Sequence, residues 1–507
     1  MQNELESPKI QKEESLKSKI LKNTVFNLIT SVIGRLGGLI FTILIARMLQ
    51  PEAYGIFSLA TSVMLILLTF ADLGINATLL RYVSHAFGKK DDKKAASYFR
   101  YLLKLKIILT MVFSIILLVI AYPLSQWIFK QPQLFIPLIL CSIYMFFLSF
   151  IGFFESIFYA AQTVKYVSIK ELIWQFFRIA FLFAGTFLIA DKIAGALAGI
   201  IAALIASLFF ILLIIKIKYS FFFDKFSEIG KPEKKKIKNF LFFLTISSIT
   251  GAFFAYIDIV MLGLFVKPEF IGYYKAAFTM VSAVASFIMF SYVVMPALIQ
   301  LEGKKLEYVF NKIFKYSSIL SFPAALGLAV IAQPFIKIIY GESYVLAYIP
   351  MLVLSLILVE FSTGSLFSFV FAAKEKPKTA TKILIAATIM NIILNYLFIV
   401  FLLPFGAIYA VLGSATATFI SRYFNFFALM RAARKQLKIT VASSAMIKPL
   451  IASVIMTVAL ILFKEATKLI WPQSIIEIIF AAVVYFIALF LIKGIEKKDF
   501  EITKKSI

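Results

Sequence analysis

Ala46–Gly55, ARMLQPEAYG, closes one apolar run and opens the next. It returns in weaker form later in the chain. Val266–Thr279 (VKPEFIGYYKAAFT) lies over Leu49–Ser62 (LQPEAYGIFSLATS), which sets Pro51, Glu52 and Gly55 on Pro268, Glu269 and Gly272. A second echo keeps nearly the same interval: Phe158–Lys170 (FYAAQTVKYVSIK) matches Val370–Lys382 (VFAAKEKPKTATK), each after an apolar run. Pro, Glu and Gly recur in tight turns of any origin. Two echoes at a nearly constant long interval, one in a turn and one in a basic loop, read instead as an internal duplication. Helical hairpins repeated in a membrane are the ground plan of secondary transporters, with the substrate site between the halves.

Composition narrows the class further. Hydrophobic residues make up 62% of the chain and mean hydropathy is +0.95, more than a soluble fold can cover with polar surface. Apolar runs of about 20 residues, enough to cross a bilayer, recur from Val25 to Ile492. Cys141 is the only cysteine and sits in such a run, so the chain forms no internal disulfide and no cysteine-based metal site. Residues 1–23 mix Lys and Glu without a short apolar core or a small-residue cleavage site, so no signal peptide is expected there.

Spans are predicted near 25–49, 56–80, 105–128, 134–161, 171–190 and 193–215. A second set follows near 240–266, 271–299, 316–339, 346–373, 383–403 and 406–430, and a last pair near 447–463 and 474–492. The expected fold is an all-α integral membrane protein of about fourteen helices, two pseudosymmetric six-helix bundles with an extra C-terminal pair. The expected division is a cytoplasmic tail 1–24, a first bundle 25–215, a basic linker 216–239, a second bundle 240–430, the helix pair 431–492 and a cytoplasmic tail 493–507.

The charges test this plan. With the N-terminus inside, the inward segments hold Lys9–Lys22, Lys89–Lys94, Lys165 with Lys170, Lys216–Lys238, Lys304–Lys315, Lys374–Lys382, Arg431–Lys448 and Lys493–Lys505. The outward turns are nearly bare: none around Pro51 or Pro404, single lysines at Lys130, Lys192, Lys267 and Lys337, and Lys464 with Lys468 in the last. This alternation is the positive-inside bias, and a single missed span would invert it from that point on. Both termini are therefore expected in the cytoplasm of a multi-pass plasma-membrane protein. The net charge of +26 is spread over the cytoplasmic loops, where it meets anionic lipid heads; nucleic acid is not an expected partner. The run Lys231–Lys238 (KPEKKKIK) reads as part of a linker or hinge.

Gly34 with Gly38, and Gly195 with Gly199, stand at the spacing that lets helix backbones approach. Pro296, Pro323 and Pro449 remove backbone donors inside or at the ends of spans. The ionisable residues inside spans carry most information, because a charge at a helix centre costs at least about 2.5–3.5 kcal/mol on insertion scales. Arg35 comes about 15 Å into the first span at 1.5 Å per residue, and Arg47 lies near its outer end. Asp72 and Arg81 belong to the second span. Glu155 and Arg178, at similar predicted depth, are a candidate pair, as are Asp258 and Lys275. Glu360 and Arg422 are further candidates for structural pairs or a charge relay. Arg35 has only Asp72 as an acidic neighbour by depth, and its planar fork suits a phosphate in a wet cavity. Arg35, Arg47, Asp72 and Lys275 are the candidate substrate-binding residues.

The segment from Asn27 to Arg81 resembles the start of the polysaccharide-type flippases of the multidrug/oligosaccharidyl-lipid/polysaccharide exporter superfamily. The residues that carry it are Arg35, Ala46-Arg47, Pro51-Glu52-Ala53-Tyr54-Gly55, Asp72-Leu73-Gly74 and Arg81. The resemblance implies two pseudosymmetric bundles around a partly basic cavity open alternately to either membrane face. It also implies outward movement of polyprenyl-(pyro)phosphate-linked oligosaccharide, with membrane lipids, a coupling ion and glycan polymerase or glycosyltransferase machinery as candidate partners. Fourteen spans also resemble the lipid II flippases, whose last helix pair is thought to line a groove for the polyprenyl tail. Those flippases carry an Arg-Asp pair between the positions that Arg35 and Arg47 match, where this chain has Phe41-Thr42; the departure favours another glycolipid.

Two rival classes remain. A cation antiporter of the same superfamily needs uncompensated carboxylates, whereas the first six spans hold at least as many arginines as acids. A membrane glycosyltransferase or ligase needs an acidic outer loop or a soluble domain, and the predicted outer turns are short. The only histidine, His85, lies in a predicted cytoplasmic loop. No catalytic carboxylate pair, Gly-rich phosphate loop or ATP motif appears. A transporter without catalytic residues, metal or cofactor is expected.

Overall fold

A computed structural model of the chain describes residues 8–223, 229–288, 301–467 and 473–495. All regular structure among them is helical. The first helix, α1 (Pro8–Asp72), is broken at Gln50, where φ is 63° and ψ is 168°. Pro51 explains the break: its ring disfavours the α conformation in the residue before it, and it brings no N–H to the helix. Gln50 donates to the Arg47 carbonyl at 2.6 Å, satisfying one acceptor freed by the kink. The stretch that repeats in the sequence is thus a sharp corner between two limbs.

A left-handed turn through Leu73 and Gly74 leads into α2 (Ile75–Gly88), followed by α3 (Asp92–Pro123), α4 (Phe135–Ala160), α5 (Lys165–Leu188) and α6 (Lys192–Lys218). Beyond a short turn, α7 (Lys231–Phe265) and α8 (Pro268–Ile288) lead to α9 (Gly303–Val330) and α10 (Ala332–Tyr340). One bent stretch holds α11 (Tyr348–Leu354), α12 (Ile357–Val359) and α13 (Ser365–Ala373). The chain closes with α14 (Pro377–Leu402), α15 (Ala407–Leu437), α16 (Ser444–Thr467) and α17 (Gln473–Leu491).

Ten helical segments among the described residues are long and apolar enough to cross a membrane, eleven if the bent stretch from Glu342 to Ala373 is one span. Length and hydropathy therefore do not reach the expected fourteen. The two limbs of α1 form one unbroken segment by this measure. The buried face of α15 carries Ser414, Thr418, Ser421, Arg422 and Asn425, which lowers its hydropathy. The last apolar helix, Ile476–Leu491, is short.

The chain divides into two compact units, Met1–Ile45 with Ala60–Ala252, and Ala46–Leu59 with Phe253–Ile507. In the first unit α5 lies closest to α6, α4 also packs on α6, and α2 and α3 pack on α4. The reading of Gly195 and Gly199 holds: they face the backbone carbonyls of Gly185 and Phe181, and a Cβ at either would collide. The core below them includes Leu79, Phe99, Phe153, Ile157, Ile211 and Phe222. Phe222 anchors the chain after α6, its ring tilted 45° to that of Phe99 at 4.7 Å, while Lys231–Lys238 form the first two turns of α7.

In the second unit the pairing scheme repeats, with α14 on α15 and α11 on α15. The two repeated corners meet there. Gly55 lies on the Pro268 carbonyl and Gly272 on the Pro51 carbonyl, each too close to admit a side chain. The second echo is also real, but shifted by one residue. The left-handed residues are Gln162 and Glu375, and the matching wide turns run from Thr163 N to Phe158 O and from Lys376 N to Phe371 O. Aligning the two Ala-Ala pairs missed this register. Pro323 lies inside α9 and Pro449 inside α16; Pro296 lies outside the described residues. The linker to the last helix pair is clasped by α9: Asn311 donates to Thr440 O at 2.7 Å and accepts from Ala442 N at 3.1 Å.

Candidate functional site: charged groups in the membrane helices

In the first unit, each of three carboxylates is held by a lysine. Lys106 of α3, fully buried, bonds Asp72 at 2.7 Å. Lys170 of α5 bonds Glu155 at 2.5 Å and its own neighbour Glu171 at 2.9 Å. Gln175 adds a donor to Glu171 at 2.5 Å. The expected pair Glu155–Arg178 does not form, and depth is the reason. Because α5 starts at Lys165, Arg178 stands about 20 Å along it at 1.5 Å per residue, whereas Lys170 is only about 7 Å in. Glu155 lies about 7 Å from the end of α4 at the same face, level with Lys170 and not with Arg178.

The lower limb of α1 and α5 run side by side in the same direction. Asn23 donates to Gln162 O at 3.0 Å, and Thr30 meets Ser168 at 2.6 Å. Higher up, the glycines of α1 do not bring backbones together, as their spacing suggested; they make room for polar side chains. A Cβ at Gly34 would lie 3.2 Å from the Glu171 carboxylate, one at Gly37 would strike the Gln175 amide, and one at Gly38 would lie 3.6 Å from Arg178 Nη2. Arg178 itself lies over the Phe41 ring, 4.4 Å from its centre, with Trp174 at 5.3 Å. Its Nε and Nη2 are buried and meet no acceptor. Arg35 is half-buried on α1, one residue past Gly34. Arg81 lies over Phe240 at 4.5 Å.

In the second unit Asp258 is 3% exposed. It accepts from Tyr274 Oη at 2.8 Å, Thr418 Oγ1 at 2.7 Å and Asn395 Nδ2 at 2.9 Å. The expected partner, Lys275, is not bonded to it. Neighbouring residues on a helix point about 100° apart, so Tyr274 and Lys275 cannot both face Asp258. Asn395 in turn accepts from Ser414 at 2.6 Å, and Asn391 donates to Ser421 at 3.0 Å. The carboxylate is solvated by protein donors in place of water. Glu360 and Arg422 do pair, at 3.3 Å, with the guanidinium over Phe361 at 4.4 Å. Glu360 opens a π-helical turn, Glu360–Gly364, in a stretch bent by 58°. Arg47 is exposed and caps α10, donating from Nε to Ile339 O at 2.7 Å and from Nη2 to Ile338 O at 2.5 Å.

Lys106, Lys170 and Glu171 were missed as site residues because they stand at the edges of the predicted spans 105–128 and 171–190, where a charge reads as a loop residue. Asn391 with Asn395, and Ser414 with Thr418 and Ser421, had a signal: polar residues at helical spacing in apolar spans. Among the described residues no cluster of His, Cys, Asp and Glu has the makings of a metal site.

Helical hairpins repeated in two units, with buried charges in membrane-length helices, define a polytopic transporter fold. Comparison with known proteins agrees. A lipid II flippase MurJ in an inward closed conformation superposes with a TM-score of 0.72 at 17% identity, over 92% of this chain and 98% of that one. An inward-facing multidrug-resistance MATE transporter of the MOP superfamily gives 0.60 at 14% identity, over 83% and 96%. The family described as polysaccharide biosynthesis protein matches residues 20–302, and the chain belongs to it. A probable low-salt glycan biosynthesis flippase, Agl15 of Haloferax volcanii, is 23% identical over 203 residues, 38% of this chain. That match spans only 42% of the relative's own length.

Proposed function

We propose that the chain is a flippase that carries polyprenyl-(pyro)phosphate-linked oligosaccharide from the cytoplasmic to the outer leaflet by alternating access, for cell-surface polysaccharide or glycan biosynthesis. The observation that carries this reading is the charge balance of the first unit. Asp72, Glu155 and Glu171 are all held in ion pairs, Asp72 by Lys106 and the two glutamates by the shared Lys170, while the guanidinium of Arg178 keeps two donors without an acceptor. A cation antiporter would need the reverse, a carboxylate free to exchange its ion. The naming of the Haloferax relative as a probable glycan biosynthesis flippase and the family match support the same cargo class. Arg35, in the middle of the lower limb of α1, contacts the carrier phosphate through its planar fork. The basic loops and both termini face the cytoplasm.

The test is reconstitution. Purified protein in vesicles, loaded with a fluorescent polyprenyl-diphosphate oligosaccharide, should speed exchange of the probe between leaflets, read by quenching with an impermeant reductant. Arg35→Ala should remove this activity and Arg35→Lys should reduce it. Vesicles that extrude a lipophilic cation yet leave the glycolipid in place would overturn the reading in favour of antiport.

A further inference from the structure

The α1–α5 interface holds one group that the folded chain does not satisfy. Arg178 stands near the middle of α5, where a charge needs water, an acid or a ligand. Glu171, about two turns below on the same helix, is taken by Lys170 and Gln175, and the same Lys170 also holds Glu155. Phe41 covers the guanidinium at 4.4 Å and Trp174 flanks it at 5.3 Å. The two rings contact the guanidinium but offer its N–H groups no oxygen acceptor. The two atoms left without an acceptor, Nε and Nη2, are the pair on one edge of a guanidinium, the edge that binds two oxygens of one anion side-on. Opposite Nη2 stands Gly38, where a Cβ would come within 3.6 Å of that atom, so the glycine keeps its own position free of a side chain.

We infer that the Nε–Nη2 edge of Arg178 is a docking point for the anionic headgroup of the cargo, taking two oxygens of one phosphate or of one sugar carboxylate. The inference rests on the reading of the chain as a carrier of lipid-linked sugars, and adds a recognition residue on α5 to Arg35 on α1. The site is selective for geometry as well as charge: the planar fork accepts two oxygens lying in its own plane. A lysine there keeps the charge and loses the second, co-planar donor.

Binding to purified full-length protein tests this, with three probes: polyprenyl diphosphate, polyprenyl diphosphate bearing a uronic acid, and polyprenol as the uncharged control. Wild-type protein should bind both charged probes. Arg178→Gln should weaken them by at least about tenfold and Arg178→Lys by less, since hydrogen bonds to a charged acceptor are the strong ones. Gly38→Ala adds a methyl beside Nη2 without touching the charge and should weaken both several-fold. Polyprenol binding should not change in any variant. Should Arg178→Gln keep its affinity for the plain diphosphate and lose only the gain given by the uronate, the anion read is the sugar carboxylate and the inference stands with that source. Unchanged binding of both charged probes by Arg178→Lys and Gly38→Ala, the variants least able to disturb folding, would overturn it and leave Arg178 as a packing residue. Wild-type protein that binds neither charged probe would instead overturn the flippase reading on which it rests.

Discussion

Lys106 shows how a buried charge is kept in this chain. Its side chain is fully buried and Asp72, a quarter exposed, is its ion-pair partner at 2.7 Å. Removing one member of such a pair costs about 3–5 kcal/mol, because the other stays behind uncompensated. Asp72→Asn should therefore lower the thermal unfolding temperature of the purified protein markedly. Asp72→Asn combined with Lys106→Met should recover most of the loss. If the double variant is no more stable than the single one, the two residues do not act as a pair. Asp72 was legible in the sequence as an informative charge because it sits in an apolar run. Its partner was not, since Lys106 is barely inside the predicted third span and basic residues at span ends are usual. The same limit hid Lys170. A linear sequence gives depth to within a turn or two, and an ion pair is decided within one.

Among the elements, α5 and α6 make a close backbone-to-backbone join. Gly195 and Gly199 let the α6 backbone rest on the carbonyls of Gly185 and Phe181, where dispersion and weak Cα–H hydrogen bonds replace side-chain packing. Gly195→Leu should push the helices apart and destabilise the protein by about 1–3 kcal/mol or more, the cost of overpacking a filled interface. Unfolding in a denaturant or temperature series would measure it, and an unchanged midpoint would refute the close contact. This join could be read directly from GALAG, since small residues four apart have one common use in apolar helices. The glycines of α1 share that spacing but not that use. They face Glu171, Gln175 and Arg178, and only the residues on the opposite helix, invisible to a local pattern, distinguish the two cases. The π-helical turn at Glu360–Gly364 left no signal either, because its sequence, EFSTG, is as compatible with a plain helix.

For the molecule as a whole, the alternation of basic and bare connections predicts which loops share a side. In a Cys141→Ala background, Lys130→Cys should react with an impermeant thiol reagent in intact cells and Lys93→Cys should not, both positions being exposed. The opposite pattern would reverse the topology. The repeated halves were legible because a helix corner needs particular residues: Pro51 and Pro268 end one helical direction, and Gly55 and Gly272 open the next. What the repeat was for was not legible. Each corner offers its proline carbonyl to the other's glycine and receives the same in return. That is the contact two identical chains make across a two-fold axis, where patch meets identical patch. A single ancestral copy with this corner would already have possessed the surface to bind itself. Fusion of two such copies would have turned a concentration-dependent dimer into one chain whose halves need never find each other.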